Sequence, residues 1–207
     1  MTKKCTANTI QPFPKPLFRC KIEILNDDIM MGDAAMLPDA LKQARDLLAD
    51  LTPLYADCGA TCGAACCRPM EGEETGMLLF PGEEACYAHL PGYRMIPAAQ
   101  GTLLVCDGRC NRAERPLSCR LFPLLPLLRT QEDGERVTVA TDLRARAVCP
   151  LARQGKAALS PEFVEAVRQV GRILAADPRQ REFLLQLTRT QDELKALRKQ
   201  FGRDAHV

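Results

Sequence analysis

Cys58-Gly-Ala-Thr-Cys62-Gly-Ala-Ala-Cys66-Cys67 is the stretch on which the reading of this chain turns. Four cysteines stand in ten residues, separated by nothing larger than threonine. A thiolate metal site needs sulfurs that converge within a few ångströms, and gaps of two to four residues bring them to a common point in one turn of backbone. Gly59 and Gly63 allow a tight turn and leave N–H groups exposed to sulfur. Cys66 and Cys67 are adjacent. Neighbouring side chains diverge by about 100° on a helix and point to opposite faces of a strand. The two sulfurs are therefore expected to serve different sites, or one to ligate while the other packs.

A second group follows in Cys106-Asp-Gly-Arg-Cys110 and, nine residues on, Cys119-Arg120, with Cys149-Pro150 closing the region. Cys58, Cys62, Cys66, Cys67, Cys106, Cys110, Cys119 and Cys149 are the candidate ligands. Eight thiolates make two complete four-cysteine sets or one bridged two-metal site. Thiolates are soft donors and select zinc or an iron–sulfur cluster over magnesium, calcium or manganese. Four thiolates around a doubly positive centre leave a charge of about −2 in either case. Arg109, Arg112, Arg115 and Arg120 stand among these cysteines, and Arg120, directly after Cys119, is the one expected to face the site. Cys86, between the two groups, is an alternative ligand; Cys5 and Cys20 read as ordinary thiols.

The rest of the composition is that of a globular chain: 46% hydrophobic and 26% charged in 207 residues, which excludes wholesale disorder and fibrous repeats. A chain of this length has a core and needs no disulfide staples, so its eleven cysteines call for a chemical explanation. The number is odd, which forbids complete pairing. The N-terminus has lysines but no apolar stretch behind them, so no secretory signal is expected. A cytoplasmic, reducing compartment follows as the expectation. A formal charge of +2, interleaved signs, three tyrosines and no tryptophan argue against a nucleic-acid partner. The longest apolar run, Leu121 to Leu128, is broken by Pro123 and Pro126, far short of a membrane span.

The texture divides the chain in three. Residues 1–57 read as an extended arm, with a strand near Arg19–Leu25, followed by a helix. That helix begins between Asp33 and Pro38 and carries Leu37, Leu41, Ala44, Leu48, Leu51 and Tyr55 on one face, ending at or kinked by Pro53. Residues 58–150 form the cysteine-cluster metal-binding domain, with short strands expected at Met77–Phe80, Thr102–Cys106, Leu124–Arg129 and Arg136–Thr141. The last two flank a hairpin turn at Asp133-Gly134. Residues 151–207 carry two helices. Ser160-Pro161-Glu162 caps one, with Phe163, Val167, Val170 and Leu174 as its stripe. Asp177-Pro178 starts the other, with Gln180 at the capping-box position and Leu184, Leu187, Leu194, Leu197 and Phe201 as its stripe. The fold class is α+β: an irregular cysteine-rich centre with short strands, flanked by an N-terminal helix and a C-terminal helical pair.

Between residues 58 and 150 the sequence resembles the YkgJ-type cysteine-cluster family, described as a zinc- or iron-chelating domain. The resemblance lies in the cluster ending Cys66-Cys67, in Arg115-Pro-Leu-Ser-Cys119-Arg-Leu-Phe-Pro123, which is similar to that family's Arg-Pro-x-x-Cys-Arg-x-Phe-Pro segment, and in the late Cys149-Pro. The first gaps differ: the family's usual spacing is two residues, and three and three stand here. The resemblance implies metal binding, and some relatives look like flagellin lysine N-methylases with an iron–sulfur cluster.

A non-catalytic metal-binding protein is thus the leading expectation, in which loss of Cys62 unfolds the middle of the chain. An iron–sulfur-dependent enzyme related to flagellin lysine N-methylase is the alternative; as a methyltransferase it lacks a glycine-rich nucleotide loop. A thiol redox protein ranks below both, because no Cys-x-x-Cys is present. His89 and His206 suggest no ligand role, and Glu71, Glu73, Glu74, Glu83 and Glu84 read as solvated loop charge, with Glu83 and Glu84 as the start of a short helix.

Overall fold

The computed structural model describes residues 37–68, 76–108 and 110–204. The arm with its expected strand, Cys5, Cys20, Glu71, Glu73, Glu74, Arg109 and His206 lie outside the described residues. Among the described residues seven α-helices run in chain order: α1 (Asp39–Leu47), α2 (Cys58–Cys62), α3 (Leu117–Leu121), α4 (Ala145–Val148), α5 (Pro150–Gln154), α6 (Pro161–Ala176) and α7 (Pro178–Asp204). The strands are β1 (Gly76–Leu78), β2 (Tyr93–Ala98), β3 (Gly101–Cys106), β4 (Leu124–Gln131) and β5 (Gly134–Thr141). They form two small antiparallel sheets, β1-β3-β2 and the hairpin β4-β5. The fold is α+β.

Leu41, Ala44 and Leu48, three of the positions expected on the first helix's apolar face, are fully buried. That helix stops at Leu47, well before Pro53, and Tyr55 is exposed. The guanidinium of Arg112 donates to the carbonyls of Ala49 and Leu51 at 3.0 and 2.6 Å, where another helical turn would need those oxygens for its own N–H groups. An arginine here also suits the negative end of the helix dipole.

At α6 the Ser160 hydroxyl accepts from Phe163 N at 3.4 Å, and Pro161 occupies the first turn. Phe163, Val167, Val170 and Leu174 are buried. Gly171 lets α6 lie directly on the hairpin: a Cβ there would stand 2.5 Å from Val137 Cγ1 and 2.7 Å from Pro126 Cβ. At the head of α7, Asp177 Oδ1 accepts from Arg179 N and Gln180 N, both at 2.9 Å. Gln180 does not reach back as a capping box. Its amide is buried and donates to Pro81 O at 2.7 Å, because a tertiary acceptor lies closer to hand than the helix start. Leu184 and Leu187 are buried, whereas Leu197 and Phe201 are exposed.

The principal core gathers Leu41 of α1, Phe80, Leu117 and Leu121 of α3, Leu124 to Leu128 around Pro126 in β4, Phe163 and Val170 of α6, and Leu184 of α7. Residues from before, within and after the cysteine-rich region therefore share one interior. Phe80 and Phe183 meet edge to face with centroids 5.1 Å apart. A smaller cluster of Leu79, Tyr87 and Leu104 lies under the three-stranded sheet. β2 was not expected from sequence. Pro91-Gly92 precedes it and Pro97 lies within it, which is tolerated because β2 is an edge strand. The hairpin packs on α7, where the Leu128 N–H donates to the Thr188 hydroxyl at 3.0 Å, and that hydroxyl donates to Leu184 O at 2.7 Å. Ion pairs Arg129–Asp192 and Arg181–Glu135 flank the contact. Among the described residues no helix is long and apolar enough to cross a membrane.

Candidate metal centre

The first cysteine group folds as a helix, a reversal and a single 3-10 turn. Asp57 caps α2 by accepting from Gly59 N at 3.0 Å. Gly63 and Ala64 are both left-handed, with φ of 61° and 53°, and turn the chain back into the 3-10 turn Ala65–Cys67. Glycine suits the first of these positions because it has no Cβ. Ala64 bears the strain of the second, one that a non-glycine residue seldom adopts. The Arg68 guanidinium braces the reversal by donating to Gly63 O at 3.2 and 3.0 Å. Cys66 Sγ and Cys67 Sγ stand 3.8 Å apart.

The second group is set directly on the first. Cys106 ends β3, and Asp107-Gly108 turns the chain with Gly108 at a φ of 78°. A Cβ on Gly108 would lie 2.1 Å from Cys67 O, so only a glycine lets the two backbones meet. Asn111 accepts from Ala113 N at 3.1 Å and starts the 3-10 turn Arg112–Glu114, after which α3 carries Cys119. Cys149 is buried at the junction of α4 and α5, and α4 packs on the Ala65–Cys67 turn.

The electrostatic neighbourhoods of these thiols divide into two fours. Burial pushes the Cys58 thiol up, with Asp57, Cys62 and Cys149 adding to the shift. Cys66 is pushed up by its hydrogen bond to Cys67, by burial, and by the charges of Cys67, Cys149 and Cys58. Cys106 is raised by burial, against a backbone N–H from Gly108, with Cys110 and Cys67 adding. Cys119 is raised strongly by burial and by Cys110, Cys67 and Cys106. Cys58 thus feels Cys62 and Cys149, Cys66 feels Cys58 and Cys149, and Cys119 feels Cys67, Cys106 and Cys110. The two fours meet at Cys66–Cys67. There the Cys66 thiol donates to Cys67 and holds it down to about 6, an ionisation that belongs to the pair. Among the described residues no three Cys, His, Asp or Glu side chains converge closely enough to hold an ion. The thiols are neighbours, not a closed cage. Cys86 lies beside Arg45 and Tyr87.

Arg115, not Arg120, faces the sulfurs. Burial works against the Arg115 charge but is outweighed by a hydrogen bond to the Cys110 sulfur and by the charges of Cys110, Cys67 and Cys119. Its Nε is buried and has no hydrogen-bond partner. Arg120 follows Cys119 on a helix, so its side chain swings about 100° away from that sulfur. It braces backbone instead, donating to Arg115 O at 2.9 Å, Ala113 O at 2.7 Å and Arg45 O at 3.3 Å. Soft sulfur donors, a cation aimed at them with an unused N–H, and a glycine cradle between the two segments together suit a thiolate-bound zinc ion or iron–sulfur cluster.

Glu83 also departs from expectation. It is wholly buried, not solvated loop charge. Its carboxylate accepts from Phe80 N at 3.1 Å, Leu117 N at 2.9 Å and Arg45 Nη1 at 3.1 Å, tying α1 to the first turn of α3. Tyr87 extends the tie by donating to Glu114 O at 2.6 Å. The short helix expected to start at Glu83 and Glu84 is a single 3-10 turn, Glu84–Cys86. Its sequence signal is faint: an acid two residues after Pro81 reads as surface, and the partners lie 38 and 34 positions away. Compared with protein families, with curated proteins and with solved structures, the chain matches none.

Proposed function

We propose that this protein binds metal through its clustered thiolates, as zinc or as iron–sulfur centres, in two four-cysteine sets: Cys58, Cys62, Cys66 and Cys149 in one, Cys67, Cys106, Cys110 and Cys119 in the other. The reading is supported above all by the close meeting of the two cysteine segments, where Gly108 lies against the Cys67 backbone, and the charges felt by Cys58, Cys66, Cys106 and Cys119 group in the same way. It also accords with the resemblance to the YkgJ-type family. A bound centre would supply positive charge to the sulfurs and, as a cluster, a redox site.

The chain's own residues do the remainder. The thiols raised by burial and by one another must give up protons on binding, so affinity falls as pH falls. Gly108 N–H steadies the Cys106 sulfur, and the Gly63-Ala64 reversal presents Cys66 and Cys67. A reducing, cytoplasmic setting keeps such thiols available. The test is metal analysis with a visible spectrum on anaerobically prepared, full-length protein. Two ions or two clusters per chain are expected, colourless for zinc and coloured for iron–sulfur. A chain that purifies metal-free and takes up neither on titration refutes the proposal.

A further inference from the structure

We propose that the exposed end of α7 is a dimerisation surface, which pairs with the same segment of a second copy of this chain, the two helices parallel and in register. α7 is 27 residues long, about 40 Å. Gln191 is buried, and from Asp192 to Phe201 no residue is. The apolar stripe nevertheless continues through Leu194, Leu197 and Phe201, with Leu197 49% and Phe201 65% exposed. Leu187, Leu194 and Phe201 stand seven apart, and Leu197 follows Leu194 by three. These are the a and d positions of a heptad, the seam along which two helices pack. Thr190, the next d position inward, is taken: the Gln100 side-chain amide donates to its hydroxyl. The open seam therefore begins at Leu194, and below it the two helices splay around their own bodies.

Charge identifies the occupant. In this heptad Glu193 falls at g and Arg198 at e, the positions that flank the seam. Among the described residues neither is paired. Arg198 has Leu194, Lys195, Phe201 and Gly202 at the three- and four-residue spacings, so its own helix offers it no acid. Arg189, four residues before Glu193, is bonded to Glu182. In a parallel pair g of one helix faces the e position five residues on in the other. Glu193 of each copy then meets Arg198 of the second copy, twice by symmetry, while each apolar residue of the seam meets its own equivalent. An antiparallel pair sets e beside e and g beside g, and leaves both charges without an opposite. From Leu194 to Phe201 the seam spans about 10 Å, so the association is weak and depends on concentration.

The experiment is sedimentation of full-length protein under reductant, from about 10 µM to about 1 mM. The mass of the wild type rises from one chain towards two. Leu197→Ser and Phe201→Ser each raise the dimer Kd about tenfold or more. Glu193→Arg and Arg198→Glu each raise it about three- to tenfold, by setting like charges face to face, and the double variant Glu193→Arg/Arg198→Glu returns it to within about twofold of wild type. Urea midpoints at the lowest concentration are unchanged for all of these variants, because the replaced side chains are exposed. A wild type that stays monomeric throughout overturns the proposal. So does a dimer indifferent to Leu197→Ser, which forms through another surface, and so does a charge-swapped double variant that fails to recover, which is not the parallel pair. A urea midpoint lowered at dilution by Leu197→Ser or Phe201→Ser places the stripe inside the monomer and overturns it as well.

Discussion

Replacing Glu83 tests the tie between α1 and the helix that carries Cys119. The carboxylate is fully buried, its partner Arg45 is 14% exposed, and all three groups around it are donors. A proton on this carboxyl would have no acceptor among them, so these donors favour the charged form, while burial pushes the carboxyl the other way, above its ordinary value. Oε1 accepts from both Arg45 and Leu117, and Oε2 from Phe80. In Glu83→Gln one oxygen remains. Placed at Oε1 it keeps two donors and sets an NH2 against the Phe80 N–H; placed at Oε2 it loses Arg45 and Leu117. Either way one or two buried groups go unpaired, at about 1–3 kcal/mol. Glu83→Ala leaves the arginine buried without its counterion and both N–H groups orphaned, for about 3–5 kcal/mol. That is a large share of the roughly 5–15 kcal/mol that holds a domain together. Equilibrium urea unfolding of the full chain reads both. A Glu83→Gln chain within about 0.5 kcal/mol of wild type, or Glu83→Ala no worse than Glu83→Gln, refutes the reasoning. Replacing both partners with apolar residues is often neutral for a buried ion pair. Here the double variant Arg45→Met/Glu83→Leu stays destabilised by about 1–3 kcal/mol, because Phe80 and Leu117 still lack an acceptor.

Gly108→Ala forces a Cβ onto Cys67 O and disrupts the junction of the two cysteine segments, whereas Gly92→Ala, also at positive φ but with open space around it, costs only about 1 kcal/mol of backbone strain; urea unfolding with zinc uptake separates them, and equal effects refute the contact. Gly171→Ala overpacks α6 against Val137 and Pro126 and lowers stability by about 1–3 kcal/mol in the same assay; a neutral result denies the close helix–hairpin approach. In metal-free protein, iodoacetamide modifies Cys67 faster as pH rises through about 6, since its folded pKa lies below the ordinary thiol value of 9.0 and the reactive thiolate appears above it. Peptide mapping that finds Cys67 unreactive until pH 8–9, the usual range for a free thiol, refutes the Cys66–Cys67 pairing.

Local signals carried much of the fold. The Ser160-Pro161 and Asp177-Pro178 helix starts, the stripes through Leu41 and Phe163, and the hairpin around Asp133-Gly134 were all legible, because each depends on neighbours within a turn or two. β2 was not, since an edge strand with a proline has no alternating apolar face to announce it. The candidate site shows the same division. Spacing and residue type singled out its cysteines. The arginine that faces them did not follow from adjacency, because Arg120 and Cys119 leave their helix on different sides while Arg115 reaches round from an earlier turn. Glu83 escaped notice because its donors come from α1, from Phe80 and from α3, a meeting that only the tertiary fold arranges.

The Thr188 hydroxyl beneath β4 has a consequence for how copies of this chain behave at high concentration. A two-stranded ribbon ordinarily offers its outer rim as a template on which a foreign strand can build. Here the N–H of Leu128 on that rim is already satisfied by a helix side chain, and the Arg129–Asp192 pair lies alongside. Strand addition along this rim would first require prising α7 off the hairpin. The helix cover over Leu128 thus works against the leucine-rich β4 acting as a seed for self-association.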